Sequence, residues 1–188
     1  FVKVGDIISS FGTINAGAPQ GTRAGGNSFK LLINDLNCST HCIKYVDDVT
    51  IATVSSDPLD GRMQSAFKDL TEWVHANKLT LNAKKTKEMI LYFGKSIDKN
   101  AIPTLAVGDC KIDRVEEFKL LGVVFRNDLN WCSHVKYILA KASRRIFVIT
   151  KLLRSGMSTA DILTVYSSIV RSVLEYASPV WHCRLTQT

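Results

Sequence analysis

Tyr45-Val46-Asp47-Asp48 sets two adjacent carboxylates inside an apolar, β-branched stretch, Ile43 to Val54. This pattern predicts a strand, a tight turn and a second strand. Two anions side by side at a turn repel each other unless a cation lies nearby. Their hard oxygen atoms suit Mg²⁺, which usually takes one or two protein carboxylates plus substrate phosphates, as two-metal phosphoryl transfer requires. For the pair taken alone, an Asp-rich surface turn is the alternative.

Length and composition limit the class of protein. The chain has 188 residues, of which 46% are hydrophobic, enough for one sizeable core or for one and a half domains. The net charge of +7 and the pI of about 9.2 fit a polyanionic partner, although ribosomal and membrane-surface proteins share this balance. No apolar run approaches the roughly 18 residues of a membrane span, and the N-terminus lacks a signal pattern. Because the chain begins at Phe1, we expect a fragment of a longer protein.

The cysteines argue against a disulfide framework. They are odd in number and irregularly spaced, at Cys38, Cys42, Cys110, Cys132 and Cys183. The close group Cys38, His41 and Cys42 has no partner pair at zinc-finger spacing, which disfavours a structural metal. We therefore predict reduced thiols without a disulfide partner in an intracellular protein, with nucleus and cytoplasm both open.

The pattern up to about Asn130 predicts a mixed α+β region. A helix is expected from Asn27 or Ser28, since either can act as N-cap. A second helix is expected from Asp57-Pro58 to about Asn77, because proline favours the first helical position. Its apolar stripe comprises Met63, Phe67, Leu70 and Trp73. Strands are predicted within residues 1–13, at 79–81 and 88–93, and in a hairpin at 118–125.

After Trp131 the pattern becomes helical. One long amphipathic helix is expected, with Gly156 placed to end it. Ser158 and Asp161 resemble a capping box for the next helix. The expected buried positions of the two helices are Val135, Ile138, Leu139, Ala142, Ile146, Ile149 and Leu153, then Ile162, Leu163, Tyr166, Ile169, Val170 and Val173.

The long helix also carries a basic face. Between Ser133 and Arg154 it has no acidic residue, and its cations are Lys136, Lys141, Arg144, Arg145, Lys151 and Arg154. A solvated face usually mixes both signs of charge. The pattern therefore favours phosphate contacts along a nucleic-acid duplex.

Several ordered motifs accompany the carboxylate turn. They include Gly17-Ala18-Pro19-Gln20-Gly21-Thr22, then Leu79-Thr80-Leu81-Asn82-Ala83-Lys84-Lys85-Thr86, Phe118-Lys119-Leu120-Leu121-Gly122-Val123, and Leu174-Glu175-Tyr176-Ala177-Ser178-Pro179-Val180-Trp181. In this order and spacing the chain resembles the reverse transcriptase of non-LTR (LINE-like) retrotransposons. The resemblance runs from about Phe11 to Trp181.

The resemblance implies a role for each motif. Asp47 and Asp48 would hold two Mg²⁺ ions, with a third carboxylate ligand outside this chain. Lys85, directly before Thr86, would protonate the departing pyrophosphate, with a solvated basic turn as the alternative. The template and nucleotide would be contacted by Gly17, Pro19, Gln20 and Gly21, the primer end by Leu121 and Gly122, and the duplex by Lys136, Lys141, Arg144, Arg145 and Lys151.

Two features depart from the family pattern. Arg23-Ala24-Gly25-Gly26 replaces the usual apolar, Gly, Pro sequence, which puts the rigidity of the preceding loop in doubt. The acidic residues before Asp47 are Asp6 and Asp35, and neither has the sequence setting of the family's further metal-binding Asp. We therefore expect the 188-residue chain to be inactive alone.

The resemblance also implies the architecture and the reaction. The predicted fold is α+β, with a partial right-hand polymerase palm in residues 1–130, built from an antiparallel sheet, the carboxylate hairpin and packing helices. A helical thumb and the start of a connector would follow in residues 131–188. The implied function is RNA-directed DNA polymerase, acting on an RNA template, a DNA primer and deoxynucleotide triphosphates, with no membrane partner. An inactive retrotransposon remnant that still binds nucleic acid, and a plain basic nucleic-acid-binding module, are the alternatives.

Overall fold

The computed structural model describes residues 3–13, 23–57, 59–93 and 101–184. Two units make up the chain, Phe1–Leu81 and Asn82–Thr188. Among the described residues, no helix is long and apolar enough to cross a membrane. The proposed palm and thumb boundary near Asn130 stays a prediction.

The described residues of the first unit form two hairpins and two helices. Its elements are β1 (Lys3–Val4), β2 (Ile7–Ile8), α1 (Arg23–Leu32), β3 (His41–Tyr45), β4 (Asp48–Ala52) and α2 (Arg62–Ala76). Strands β1 and β2 pair antiparallel, as do β3 and β4, and α2 packs against β4. The buried apolar residues of this unit are Ile33, Leu36, Cys38, Ala66, Phe67 and Leu70.

Both predicted helix starts in the first unit are wrong. Helix α1 begins at Arg23, not at Asn27 or Ser28. Helix α2 begins at Arg62, after Gly61 in the left-handed region (φ 71°), not at Asp57-Pro58. Local side-chain bonds hold the preceding segment in a turn instead, since the Leu59 amide donates to Asp57 Oδ1 over 2.9 Å and the Arg62 amide donates to Asp60 Oδ1 over 3.0 Å. Pro58 lies outside the described residues.

The end of α2 is close to the prediction, but the strand expected at 79–81 is wrong. The helix ends at Ala76, with Asn77 as C-cap. Lys78 takes a left-handed φ of 54°, and the amides of Lys78 and Leu79 donate back to the carbonyls of His75 and Val74. These two bonds form a Schellman cap. The amides of residues 78 and 79 therefore close the helix and are not available to a strand. Of the predicted stripe, Phe67 and Leu70 are buried, whereas Met63 and Trp73 are half-buried.

In the part of the second unit that the structure describes, the strands form three small pairs. Strand β5 (Lys87–Glu88) pairs parallel with β8 (Asp113–Arg114), and β6 (Ala106–Val107) pairs antiparallel with β7 (Cys110–Lys111). Strand β9 (Glu117–Leu120) pairs antiparallel with β10 (Val123–Arg126), which confirms the predicted hairpin. The strand expected at 88–93 is limited to Lys87–Glu88.

Helices follow the last hairpin. They are α3 (Cys132–Arg154), α4 (Thr159–Tyr166), a π-helical turn (Ser167–Arg171), α5 (Ser172–Glu175), α6 (Ser178–Trp181) and a 3₁₀ turn (His182–Arg184). Gly156 takes a φ of 82° directly after α3, as predicted. Ser158 Oγ accepts from the Asp161 amide over 3.2 Å, which confirms Ser158 as the N-cap of α4. The Asp161 carboxylate accepts from the Ser158 hydroxyl and not from the Ser158 amide, so the second bond of the predicted capping box is replaced by a side-chain bond.

An aromatic cluster lies at the centre of the second unit. We define it as Phe125, Trp131, His134, Tyr137 and Trp181, which pack with Val123, Ile138 and Val173. The His134 ring is fully buried, and its Nδ1 accepts the Val124 amide hydrogen over 3.2 Å. The cluster therefore joins α3 to the hairpin β9–β10.

The predicted apolar stripes of the helices are partly wrong. Ile138, Ala142, Ile162, Val170 and Val173 are buried, but Leu139, Ile146, Leu153, Leu163 and Tyr166 are exposed. Positions 139, 146 and 153 repeat every seven residues and so share one flank of α3, beside the line through His134, Ile138 and Ala142 that meets the core. Ile146 is 49% exposed, so its truncation removes less buried area than the sequence suggested.

Burial lowers the pKa of His134 below its usual 6.5. Because the folded-state pKa of His134 is lowered, its burial is fully compatible with folding above pH 6.5. Below pH 6.5 the unfolded chain binds a proton at His134 more tightly than the folded chain does, so stability is lost as the pH falls. We expect the unfolding free energy to fall between about pH 7 and pH 5.5, by at most about 1.4 kcal/mol per pH unit. Denaturant titrations at each pH would measure this. The decrease of the unfolding free energy with falling pH should become smaller in His134→Gln and should persist in the control His182→Gln. An equal pH dependence in both variants would show that His134 does not cause it.

Candidate functional site

The carboxylate turn forms where the sequence predicted it. Strands β3 and β4 are joined by the two residues Val46 and Asp47, and Tyr45 pairs with Asp48 across the turn. Asp47 and Asp48 are both exposed. No ion pair joins either carboxylate to a lysine or arginine among the residues that the structure describes. The pair is therefore open to a cation from solution.

Val46 is held in an unfavourable backbone conformation. Its φ is 53°, in the left-handed region, which costs a non-glycine residue roughly 1–2 kcal/mol. A positive φ at the first central residue is a feature of the mirror-image turns that match the twist of paired strands. The five-residue register of β3 with β4 imposes this conformation on a β-branched residue. Strain of this kind concentrates at functional sites.

Lys44 anchors the strand that leads into the turn. Its Nζ donates to the carbonyl oxygens of Ile33, Asn34 and Leu36 over 3.0, 3.1 and 2.7 Å. An ammonium group has three N–H donors, so these acceptors engage all of them at the end of α1. No local pattern indicates this role, since Lys44 occupies an ordinary polar position in an alternating strand.

The donor set at the turn fits Mg²⁺ in part. Two carboxylates match the number that a protein usually contributes to this ion. In the described part of the chain, no group of three or more potential metal ligands comes together. Asp35, one of the earlier acidic residues, accepts a hydrogen bond from Trp73 Nε1 over 3.2 Å. Asp47 and Asp48 are thus the ligands that this region can offer.

Lys85 lies in an exposed turn of the second unit. Its amide donates to Asn82 Oδ1 over 3.1 Å, and the Thr86 amide donates to the Asn82 carbonyl over 2.9 Å. The neighbouring Lys87 differs, because its Nζ is paired with Asp113 at 2.5 Å. Lys85 has no such partner among the described residues, and its role as a general acid stays a prediction. The predicted nucleotide loop, with Gly17, Pro19, Gln20 and Gly21, lies outside the described residues.

The turn of the hairpin β9–β10 contains Leu121 and Gly122. Both have positive φ, 46° and 88°, as a type I′ turn requires. Tyr176 Oη donates to the Leu121 carbonyl over 2.9 Å, and a Cβ added to Gly122 would lie 3.1 Å from Tyr176 Cε1. Gly122 is therefore needed for the approach of this ring. Sequence reasoning assigned no role to Tyr176, although it lies in one of the family motifs.

The basic residues of α3 fall into two groups. Lys136, Arg144, Lys151 and Arg154 are exposed and recur at helical spacing on one face. Lys141 is half-buried, and its Nζ lies 5.9 Å from the centre of the Tyr137 ring. Arg145 is also half-buried, and its guanidinium donates to the Ile169 carbonyl in the π-helical turn. The predicted duplex contact of Arg145 would have to compete with that internal hydrogen bond.

Comparison with known proteins gives a family and several relatives. The family model described as "Reverse transcriptase (RNA-dependent DNA polymerase)" matches residues 7–125. The probable RNA-directed DNA polymerase from transposon X-element of Drosophila melanogaster is 23% identical, over 96% of this chain and 21% of its own length. The RNA-directed DNA polymerase from mobile element jockey of Drosophila funebris is 25% identical, over 92% of this chain and 20% of its own length.

A third relative extends the same pattern. The retrovirus-related Pol polyprotein from type-1 retrotransposable element R1 of Bradysia coprophila is 22% identical, over 89% of this chain and 17% of its own length. The chain thus spans about a fifth of the length of these relatives. No solved structure gives a significant match. The matches confirm the resemblance to non-LTR retrotransposon reverse transcriptases.

Gly122→Ala should destabilise the protein more than Gly108→Ala does. Both glycines have positive φ, 88° and 56°, but a Cβ at Gly108 meets nothing within 4 Å. Each substitution should cost roughly 1–2 kcal/mol for the left-handed backbone, and Gly122→Ala roughly 1–3 kcal/mol more for contact with the Tyr176 ring. Denaturant unfolding would measure both changes. Equal costs would show that Tyr176 does not pack on the turn.

Proposed function

The chain belongs to the reverse transcriptase (RNA-dependent DNA polymerase) family, and we propose that it supplies part of the polymerase centre of a non-LTR retrotransposon. The proposed reaction adds deoxynucleotides to the 3′ end of a DNA primer on an RNA template. The observation behind this proposal is the exposed Asp47–Asp48 pair on a strained two-residue turn, inside the region that matches the family. The proposed architecture is a partial palm in residues 1–130 and a thumb in 131–188.

Asp47 and Asp48 would hold the Mg²⁺ ions of the site, with a third carboxylate supplied by the rest of the parent protein. When bound, the ions neutralise charge on the phosphoryl group that is transferred. The residues of this chain would position the two carboxylates. Lys44 fixes β3 to the end of α1, and the pairing of Tyr45 with Asp48 fixes the turn. The proposed inactivity of the 188-residue chain alone follows from the need for that third ligand.

Other proposed roles follow the family motifs. Lys85 would donate a proton to the departing pyrophosphate, and its exposure without an acidic partner among the described residues is compatible with this. Leu121 and Gly122 would contact the primer end at a turn whose shape Tyr176 supports. The loop with Gly17, Pro19, Gln20 and Gly21 would contact template and nucleotide.

The proposed duplex surface is the exposed face of α3. Lys136, Arg144 and Lys151 lie along it, and none is paired with a carboxylate in the described residues. Lys151 Nζ lies 5.3 Å from the centre of the Phe147 ring, which leaves its charge available to a phosphate. Lys141 and Arg145 would contribute positive charge from half-buried positions.

An inactive remnant that still binds nucleic acid is the second candidate. The segment Arg23–Gly26 favours it, because α1 starts on these residues where the family pattern has an apolar, Gly, Pro sequence. A plain basic binding module leaves the Asp47–Asp48 pair without a purpose. Polymerase activity of the parent protein distinguishes these candidates.

In the parent polymerase, Asp47→Asn should abolish primer extension and leave template binding nearly unchanged. Loss of a metal ligand should remove several kcal/mol of transition-state stabilisation, which corresponds to a roughly thousandfold or greater loss of rate. Asp6→Asn is the matched control, because Asp6 also occupies the second position of a two-residue hairpin turn, between β1 and β2. Gel assays of extension and binding would measure both. Extension by Asp47→Asn at the parental rate would overturn the metal assignment.

The basic face should reveal itself in the salt dependence of duplex binding. Arg144→Ala and Lys151→Ala should each lower the slope of log affinity against log salt by about 0.9, because each removes one phosphate contact. The loss should be similar for duplexes of different sequence, since phosphate contacts do not specify bases. Arg145→Ala should chiefly reduce stability, because its guanidinium bonds Ile169. Fluorescence anisotropy would measure these slopes. Unchanged slopes in Arg144→Ala and Lys151→Ala would show that this face of α3 does not contact phosphates.

A further inference from the structure

We propose that Lys119, Tyr137, Lys141 and Arg144 together bind one phosphodiester group of the strand whose end meets the turn Leu121–Gly122. This inference rests on the proposed polymerase function, because that function supplies the strand. It adds Lys119 and Tyr137, to which the sequence motifs assign no role. It also replaces a diffuse basic face, at this end of α3, with a defined site.

The four side chains converge from two elements of the second unit. Tyr137, Lys141 and Arg144 are spaced i, i+4 and i+7 along α3, which places them on one face of the helix. Lys119 comes from β9, and its Nζ donates to Tyr137 Oη over 2.7 Å. The same Nζ lies 4.5 Å from the centre of the Tyr137 ring, and Lys141 Nζ lies 5.9 Å from it. One phenol is thus surrounded by cations.

The hydrogen-bond donors of this group remain available. Tyr137 accepts from Lys119 through its oxygen, so its own O–H is free to donate to a ligand. The Lys119 ammonium has three donors and uses one of them here. Arg144 bonds the Ala140 carbonyl through Nε over 3.3 Å, which leaves its terminal nitrogens for another acceptor. A phosphate oxygen is an acceptor that all of these groups can share.

The charge balance points to an anion. No ion pair joins Lys119, Lys141 or Arg144 to a carboxylate in the described residues. The hydrogen bond from Lys119, with the nearby charges of Lys141 and Arg144, lowers the pKa of Tyr137. A phenol with a lowered pKa is a stronger donor to an anionic oxygen. Cations held close together without a counter-ion repel each other, and a bound phosphate would relieve that repulsion.

The position of the site selects a strand near its end. Lys119, on β9, lies two residues before Leu121 in the turn. Two residues span about 7 Å along a strand. Successive phosphates of a nucleic-acid strand are of similar spacing. If the strand end meets the turn Leu121–Gly122, the phosphate bound by Lys119 belongs to one of the last few linkages.

A methylphosphonate scan tests this site. The 188-residue chain is titrated by anisotropy into fluorescent DNA primers on an RNA template, each with one neutral methylphosphonate among its last four linkages. We expect the substitution to weaken binding about tenfold at one linkage and little at the others. In Lys119→Met, a methylphosphonate at that linkage should no longer weaken binding more than at the other linkages, because the ammonium that contacts this phosphate is gone. Tyr137→Phe, which keeps the ring, should lower the sensitivity in part.

Matched controls separate this inference from the proposed function. Lys111→Met removes one exposed lysine of the same unit and should leave the scan unchanged. If the wild-type chain does not bind the unmodified duplex, the proposed function and the site both fail. If it binds but no linkage couples to Lys119 or Tyr137, only the site is overturned. Should Lys119→Met unfold, Tyr137→Phe alone decides the outcome.

Discussion

The hydrogen bond from the Val124 amide to Nδ1 of His134 joins the last hairpin of the chain to its longest helix. The ring is fully buried between Trp131 and Trp181, so it must stay neutral to fit there. With β10 held on α3 in this way, other contacts across the same junction come into register. Tyr176 reaches the turn carbonyl of Leu121, and Lys119 reaches Tyr137. The proposed primer contact and the proposed phosphate site both depend on this buried, uncharged imidazole.

The turns Val46-Asp47 and Leu121-Gly122, one in each unit, are stabilised in the same way. In both, a bulky apolar residue occupies the left-handed region at the first turn position, Val46 at φ 53° and Leu121 at φ 46°. Each turn also has a side-chain anchor that reaches a distant part of the chain. Lys44, two residues before Val46, donates to carbonyls that follow α1, and Tyr176 donates to the Leu121 carbonyl in the turn itself. Strained turns persist only where the surrounding structure over-determines them. These anchors are what hold each turn in place.

Local rules predicted the elements whose signals lie within a few residues. The turn at Val46-Asp47, the hairpin at 118–125, the glycine stop of α3 and the N-cap at Ser158 all follow from short-range hydrogen bonding and strand pairing. The start of α2 and the strand expected at 79–81 were wrong because side-chain turns and a Schellman cap competed for the same backbone. The roles of Lys44, Lys119, Tyr176 and Arg145 depend on partners 8 to 55 residues away, which periodicity cannot detect.

We propose that this chain is part of a working polymerase. Nucleotide incorporation by the longer parent protein, on a DNA primer annealed to an RNA template, is the decisive measurement. With Mg²⁺ present, labelled deoxynucleotides should extend the primer in the order that the template dictates, and a chelator should stop extension without releasing the duplex. A parent protein that binds the duplex but incorporates no nucleotide at any Mg²⁺ concentration would contradict the claim and identify an inactive remnant.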